Sequence, residues 1–221
     1  MEIRKFRRKY DLELIPAAYE GIINGTLVWD ALIGKPKLDH PGMPNHILNA
    51  FVDADLISMD DYNSMYQEFS NIKMLKANLA ESKVDIEIDL SNEIGYPQIG
   101  DLTQSLNLTS TKKFSFGDLT VKVLSDPIRI ELDSLIENLK ENKWKDYDSK
   151  IRRVFMITEL YYGSIKILLD KNLESNIDVK LAELNLGIKN KTKVHKNIEY
   201  TFESANVPFA MRIEAVKSFN G

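Results

Sequence analysis

Seven residues from Val84 to Leu90 alternate strictly between apolar and acidic side chains. Successive side chains of a β-strand point to opposite faces of a sheet, so a period of two predicts a strand that is buried on one face and wet on the other. A chain organised around such a segment needs a sheet with a covered face. The apolar face is expected to carry Val84, Ile86, Ile88 and Leu90, and the wet face Asp85, Glu87 and Asp89.

Three more stretches alternate in the same way. After Gly117 the apolar residues change parity, which predicts a β-bulge or bend there. The strands that we predict are residues 114–123, residues 152–170 and residues 176–190. Their apolar positions are Leu119, Val121 and Val123, then Ile165, Ile167 and Leu169, then Ile177, Val179, Leu181, Leu184, Leu186 and Ile188.

Helical spacing appears in three places. Residues 1–10 are basic and amphipathic, Ser58 is placed to cap a helix of about three turns, and Asp133 is placed to cap a helix over residues 135–144. No linker divides the 221 residues. The predicted fold is α+β: a single domain, residues 1–221, with a twisted, mostly antiparallel β-sheet flanked by helices.

Composition excludes several classes of function. The chain has no cysteine, three histidines and a formal net charge of -4. Disulfides and thiolate chemistry are therefore excluded, and nucleic-acid binding is not expected from an acidic chain. His40 and His46 do not have the spacing of zinc ligands, and we expect loop histidines that are solvated or bonded to a backbone carbonyl. We predict neither a metal nor a cofactor.

The sequence gives little support for an enzyme. Two carboxylates on one strand face could serve a glycosidase, but alternating acids are the usual wet face of a half-buried strand. The phosphate-binding glycine motifs and the G-x-S-x-G motif are absent from the sequence. We therefore expect a protein that is not an enzyme, and a hydrolase is the weakest hypothesis.

The basic segment at the start of the chain has two interpretations. Arg4, Lys5, Arg7, Arg8 and Lys9 lie within six positions. They form either a solvated helix face or a contact with anionic lipid headgroups, where each cation near the surface contributes about 1 kcal/mol. The local positive charge could recruit the chain to a membrane despite its negative net charge.

Several short motifs, in order along the chain, resemble the pore-forming domain of the gasdermin family. After the basic helix come LELIPA at 12–17 and GKPK at 34–37. VFMITELYYGSIKI at 154–167 is similar to a strand of the family, with Thr158 and Glu159 matching its TE pair. NVPFAMRIEAV, which contains Arg212, is similar to the last strand of the family's domain.

The resemblance implies a pore-forming effector of regulated cell death with a gasdermin-like fold. Such a protein is cytoplasmic while soluble and acts at the inner face of the cell membrane. Its partners are anionic membrane lipids and further copies of itself. Three alternatives are open for its control: an inhibitory segment after Gly221, a separate inhibitory partner, or a protein that is always poised to act. The lack of cysteine excludes activation through a lipidated cysteine.

Two hairpins are expected to cross the membrane, at about residues 79–124 and 152–190. A crossing strand needs about 9 to 11 residues with apolar side chains toward lipid and polar ones toward the lumen. The apolar positions given above would then face lipid, while Asp85, Glu87 and Asp89 would face the lumen. The alternative function is a protein-binding α+β module without lytic activity, whose acidic strand face is solvated.

Overall fold

The structure is a computed structural model that describes residues 3–15, 21–31, 44–79, 84–87, 113–139, 151–170, 179, 188–202 and 208–216. The predicted positions Ile88, Asp89, Leu90, Ile177, Leu181, Leu184 and Leu186 lie outside the described residues. The helices are α1 (Ile3–Tyr10), α2 (Ile47–Asp53), α3 (Met59–Ser70) and α4 (Asp126–Leu139). The strands are β1 (Glu13–Leu14), β2 (Leu27–Ala31), β3 (Leu75–Lys76), β4 (Val84–Glu87), β5 (Lys113–Val123), β6 (Ile151–Asp170), β7 (Ile188–Val194), β8 (Asn197–Phe202) and β9 (Ala210–Ala215).

The strands are hydrogen-bonded in the order β1, β9, β6, β5, β3. In addition, β2 and β8 pair with β6, β4 pairs with β5, and β7 pairs with β8. The pairs β1/β9, β2/β6, β4/β5, β6/β8 and β7/β8 are antiparallel. The predicted α+β class with a mostly antiparallel sheet is confirmed.

The chain divides into two compact units. The first unit comprises Met1–Gly21, Lys76–Val121 and Tyr161–Met211, and the second comprises Ile22–Leu75, Lys122–Leu160 and Arg212–Gly221. In the first unit, the rings of Phe116 and Phe209 stack with centroids 3.9 Å apart. In the second unit, side chains of α2, α3 and α4 form one apolar cluster with Trp29 and Val154 from the strands. Each unit therefore has apolar residues of its own to bury.

Helix α3 begins as the sequence predicts. The Ser58 hydroxyl accepts a hydrogen bond from the Asp61 backbone N–H at 3.1 Å, and the Asp61 carboxylate accepts one from the Ser58 backbone N–H at 3.1 Å. This reciprocal capping box satisfies two backbone donors that the first turn of a helix leaves without partners.

The predicted start of helix α4 is wrong. The helix begins at Asp126, so Asp133 lies inside it and is not its cap. Pro127 is in the first turn, where the missing backbone N–H costs no helical hydrogen bond. Helix α2 was not predicted, because the side chain that caps it belongs to His46, which is outside the usual capping residues.

The strand predicted over residues 176–190 is wrong at Val179 and confirmed at residues 188–190. Val179 is helical and 57% exposed, and strand β7 begins only at Ile188, which is 42% exposed. In this structure residues Lys166–Asp170 of β6 pair with Thr201–Asn197 of β8. The hairpin of residues 152–170 with residues 176–190 is expected in the membrane and stays a prediction.

Candidate functional site

Helix α1 is the predicted lipid-binding element, and its two sides differ sharply. Phe6 and Tyr10, one helical turn apart, are buried at 0% and 7% exposure, with ring centroids 5.1 Å apart. Lys5, Arg7, Arg8 and Lys9 are all exposed. The side chain of Arg4 lies outside the described residues. The apolar side fixes the helix to its own unit and leaves its cations on the surface.

The end of α1 turns the chain back toward the helix. The Asp11 backbone N–H donates to the Arg7 carbonyl at 2.9 Å, and Asp11 has a φ of 54°. A left-handed residue commonly closes a helix in this way, and aspartate tolerates that conformation better than most residues. Leu12 is then buried, and β1 begins at Glu13, which lies opposite Met211 of β9.

The exposed cations of α1 are not equivalent. The Arg7 guanidinium donates from Nε and Nη2 to the two carboxylate oxygens of Glu13. Only 15% of the Glu13 side chain is exposed, and this burial raises the pKa of its carboxyl group, while the contact with Arg7 opposes the rise. Such a two-point contact holds the guanidinium in a fixed orientation. Arg7 is therefore held in an ion pair within the protein.

The other cations of α1 have different surroundings. The Lys9 ammonium lies 4.9 Å from the centroid of the Tyr10 ring. Lys5 and Arg8 are three residues apart, hence neighbours on the helix surface, and have no acidic partner in the described part of the chain. Glu13 was missed by the sequence analysis; its signal is a carboxylate six residues after Arg7, just beyond a predicted helix end.

Three of the described apolar positions of the first predicted hairpin are buried. Val84 is at 0% exposure, and Leu119 and Val121 are at 6% each. Strand β4 pairs with β5 so that Val84 lies opposite Phe116. The predicted bulge is supported by Asp118, which has a φ of 50° within β5. The parity change therefore keeps the residues on both sides of Gly117 on the covered face.

Asp85 and Glu87 are positioned by the pairing of β4 with β5. They lie opposite Ser115 and Lys113 in the strand register. The prediction that they face a lumen is untested, and their side chains lie outside the described residues. Val123 is half-buried, and the side chain of Ile86 is outside the described residues.

Strand β6 carries the described apolar face of the second predicted hairpin. Ile165, Ile167 and Leu169 are 2%, 1% and 4% exposed, and the alternate residues Lys166 and Leu168 are half-buried. Residues 160–165 are buried without interruption. Because successive side chains of a strand point to opposite faces, both faces of this stretch of β6 are covered.

Residues from two of the gasdermin-like motifs meet in the second unit. Arg212 Nη1 donates to Glu159 Oε1 at 3.1 Å, and the Thr158 hydroxyl donates to Glu214 Oε1 at 3.3 Å. Arg129 of α4 reaches the other oxygen of Glu214 at 2.7 Å. The network joins α4, β6 and β9 and has a structural role; nothing in its geometry indicates a reacting group.

His46 lies in a buried position that the sequence did not predict. Its Nδ1 accepts a hydrogen bond from the Leu48 backbone N–H at 3.2 Å, so Nε2 carries the proton and donates to the Asn24 carbonyl at 3.0 Å. Burial lowers the pKa of His46 to about 4. The expected bond to a backbone carbonyl is confirmed for His46, and His40 lies outside the described residues.

Two further properties of the described residues concern other kinds of site. None of the helices there is long and apolar enough to cross a membrane. Nor do the described histidines and carboxylates form a group of three or more that could hold a metal ion.

The chain was also compared with known proteins. Comparisons with protein-family models, curated proteins and solved structures found no match.

Proposed function

We propose that this protein is a membrane pore-forming effector of regulated cell death, similar in mode of action to gasdermins. It binds acidic lipids, oligomerises and inserts two β-hairpins per subunit. The observation that carries the proposal is helix α1, which is buried along Phe6 and Tyr10 and presents Lys5 and Arg8 to the surroundings without acidic partners among the described residues. In a chain with a net charge of -4, such a local positive surface favours an anionic partner.

The strands support the insertion step. Strands β5 and β6 have 11 and 20 residues, and a membrane-crossing strand needs about 9 to 11. Leu119 and Val121 of β5 and Ile165 to Leu169 of β6 bury apolar side chains at alternate positions. In the proposed mechanism these side chains exchange the protein interior for acyl chains, and pairing between subunits satisfies the backbone polar groups.

A protein-binding module is the second candidate. Large apolar side chains are exposed on the second unit at Met59, Met74, Leu75 and Ile130, with exposed fractions from 41% to 71%. Contiguous exposed apolar surface is typical of protein–protein contacts, so this second candidate places the partner on these residues. Such a module would bind a partner without releasing vesicle contents.

The test is dye release from vesicles of phosphatidylcholine alone and from vesicles that also contain an anionic phospholipid. We expect release only from the anionic vesicles, and less release by the variant Lys5→Gln/Arg8→Gln. The matched control is Lys73→Gln/Lys76→Gln, which removes two exposed positive charges that are not part of α1. Release from neither vesicle type by the folded wild-type protein would reject pore formation. Equal loss in both variants would reject the role of α1.

A further inference from the structure

Strand β7, the first strand of the β7–β8 hairpin, is the longest fully exposed strand that the structure describes. All seven residues of β7 are exposed, and among the described strands β7 pairs only with β8. Residues 188–202 contain four lysines and one acidic residue, Glu199, in a chain with a net charge of -4. The lysines are Lys189, Lys191, Lys193 and Lys196. The hairpin is therefore locally positive in a chain whose net charge is negative.

One side of this hairpin is anchored. Lys191 and Lys193 lie opposite Tyr200 and Ile198 in the register, and both of these β8 residues are completely buried. The Lys191 ammonium lies 5.4 Å from the centroid of the Tyr200 ring. Strand β8 in turn pairs with residues 166–170 of β6. The hairpin is thus held by its second strand while its first strand faces outward.

The charges become less constrained toward the turn. Lys189 is 3.7 Å from Asp118, and both side chains are more than half exposed, so the pair has little energetic weight. We define the hairpin tip as Lys193–Lys196. Within the described part of the chain, Lys193 and Lys196 have no acidic partner. His195, between them in the turn, is exposed and has a φ of 55°.

The tip also exposes an apolar side chain. Val194 is 40% exposed and is flanked in sequence by Lys193 and His195. Lysines on an edge strand commonly prevent the addition of another strand, and this explains Lys191 and Lys193. It does not explain Lys196, which follows the strand. Nor does it explain the exposed Val194, because an apolar side chain favours association of an edge strand with another strand.

An anionic bilayer surface fits this combination best. Lysines act as flexible point charges toward headgroup phosphates, and a small apolar residue between them can enter the boundary between headgroups and acyl chains. The hairpin has no arginine and no exposed phenylalanine, tyrosine or tryptophan, the groups on which nucleic-acid recognition most depends. We propose that the hairpin tip is a second contact with anionic lipid, separate in sequence from helix α1. The inference rests on the proposed membrane function.

The experiment compares binding to anionic vesicles by sedimentation. Lys193→Gln/Lys196→Gln is expected to weaken binding about 30-fold, since each surface lysine contributes about fivefold. Val194→Ser, which leaves every charge in place, is expected to weaken binding to vesicles while leaving binding to soluble polyphosphate unchanged. Lys73→Gln/Lys76→Gln is the control for net charge. Because the substituted residues are exposed, we expect each variant to unfold at the wild-type temperature. Thermal unfolding of each variant checks this.

The outcomes separate this inference from the proposed function. Wild-type binding by Lys193→Gln/Lys196→Gln, together with weakened binding by Lys5→Gln/Arg8→Gln, rejects the hairpin contact and leaves the function of α1 intact. Equal weakening by the hairpin variant and the Lys73/Lys76 control also rejects it. Binding to polyphosphate or duplex DNA that matches binding to vesicles and is indifferent to Val194→Ser identifies a general polyanion site and rejects the lipid assignment. Lost binding without lost dye release contradicts the link to pore formation.

Discussion

Arg212 of β9 donates to Glu159 of β6 at 3.1 Å, which joins two residues that are 53 positions apart in the sequence. Both side chains are largely buried, with 32% and 15% exposure. The neighbouring pair of Arg129 and Glu214 has a similar length of 2.7 Å but is more exposed, at 40% and 43%. The two Arg–Glu ion pairs therefore differ mainly in burial, so their contributions to stability can be compared.

Replacing Arg212 should cost more stability than replacing Arg129. Arg212→Met leaves the Glu159 carboxylate partly buried without its cation, and we expect the free energy of unfolding to fall by about 2 kcal/mol. Arg129→Met should cost less than about 1 kcal/mol, because Glu214 is more exposed and keeps its hydrogen bond from Thr158. Urea denaturation of both variants measures the difference. Equal losses would contradict the importance of burial here.

Freeing Arg7 should strengthen membrane binding. Glu13→Gln removes the carboxylate that holds the Arg7 guanidinium, so Arg7 becomes a further cation for lipid headgroups. We expect the affinity for anionic vesicles to rise about fivefold, since one cation near the surface contributes about 1 kcal/mol. Asp11→Asn is the control, because it removes the same charge from a nearby exposed residue. An equal rise in both variants would indicate a general charge effect and no specific restraint on Arg7.

Stability should fall as the pH is lowered from about 6.5 to 4. Burial lowers the pKa of His46 to about 4 from its ordinary value of 6.5, so the unfolded chain takes up the proton first. The full loss over this range is about 3 kcal/mol. His46→Asn keeps a side-chain acceptor at the helix cap and removes the titration, so it should flatten the dependence measured by denaturation at several pH values.

The control for this pH dependence is His195→Asn. His195 is exposed in the β7–β8 turn, and asparagine tolerates its left-handed φ. This variant should keep the wild-type loss of stability between pH 6.5 and 4. If His46→Asn also keeps the full wild-type loss, the buried position of His46 is not its source.

The period of two predicted several strands because neighbouring residues there meet water on one face only. The burial of Val84, Leu119, Ile165 and Ile167 follows from local pattern alone. The capping box of Ser58 and Asp61 is equally local, since all its atoms lie within four residues. Such features are available from sequence because no distant partner is needed to form them.

The incorrect predictions concern features that depend on residues distant in the sequence. Alternation around Val179 suggested a strand, but alternation does not say which strand will pair with β6, and β8 takes that place. The engagement of Arg7 depends on a turn at Asp11 that brings Glu13 back toward the helix. The contact of Arg212 with Glu159 depends on the neighbouring positions of β9 and β6. Tertiary pairing is the information that a single sequence lacks.

The pairing of β6 with β8 in this structure makes the proposed refolding testable. If β6 pairs with residues 176–190 in the membrane, it must first separate from β8. Leu168 and Glu199 lie directly opposite each other in these strands, and opposed Cα atoms in antiparallel pairs are about 4.5 to 5.5 Å apart. The chain has no cysteine, so Leu168→Cys/Glu199→Cys can form only this intramolecular disulfide.

The control crosslink is Thr192→Cys/Glu199→Cys. It joins β7 to β8 at directly opposed residues and leaves β6 free. The measurement is dye release from anionic vesicles by the two oxidised proteins, before and after addition of a reductant. We predict that the β6–β8 crosslink abolishes release until it is reduced, while the β7–β8 crosslink releases dye in both states. Wild-type release by a fully crosslinked β6–β8 protein would contradict the proposal that β6 leaves the protein interior for the membrane.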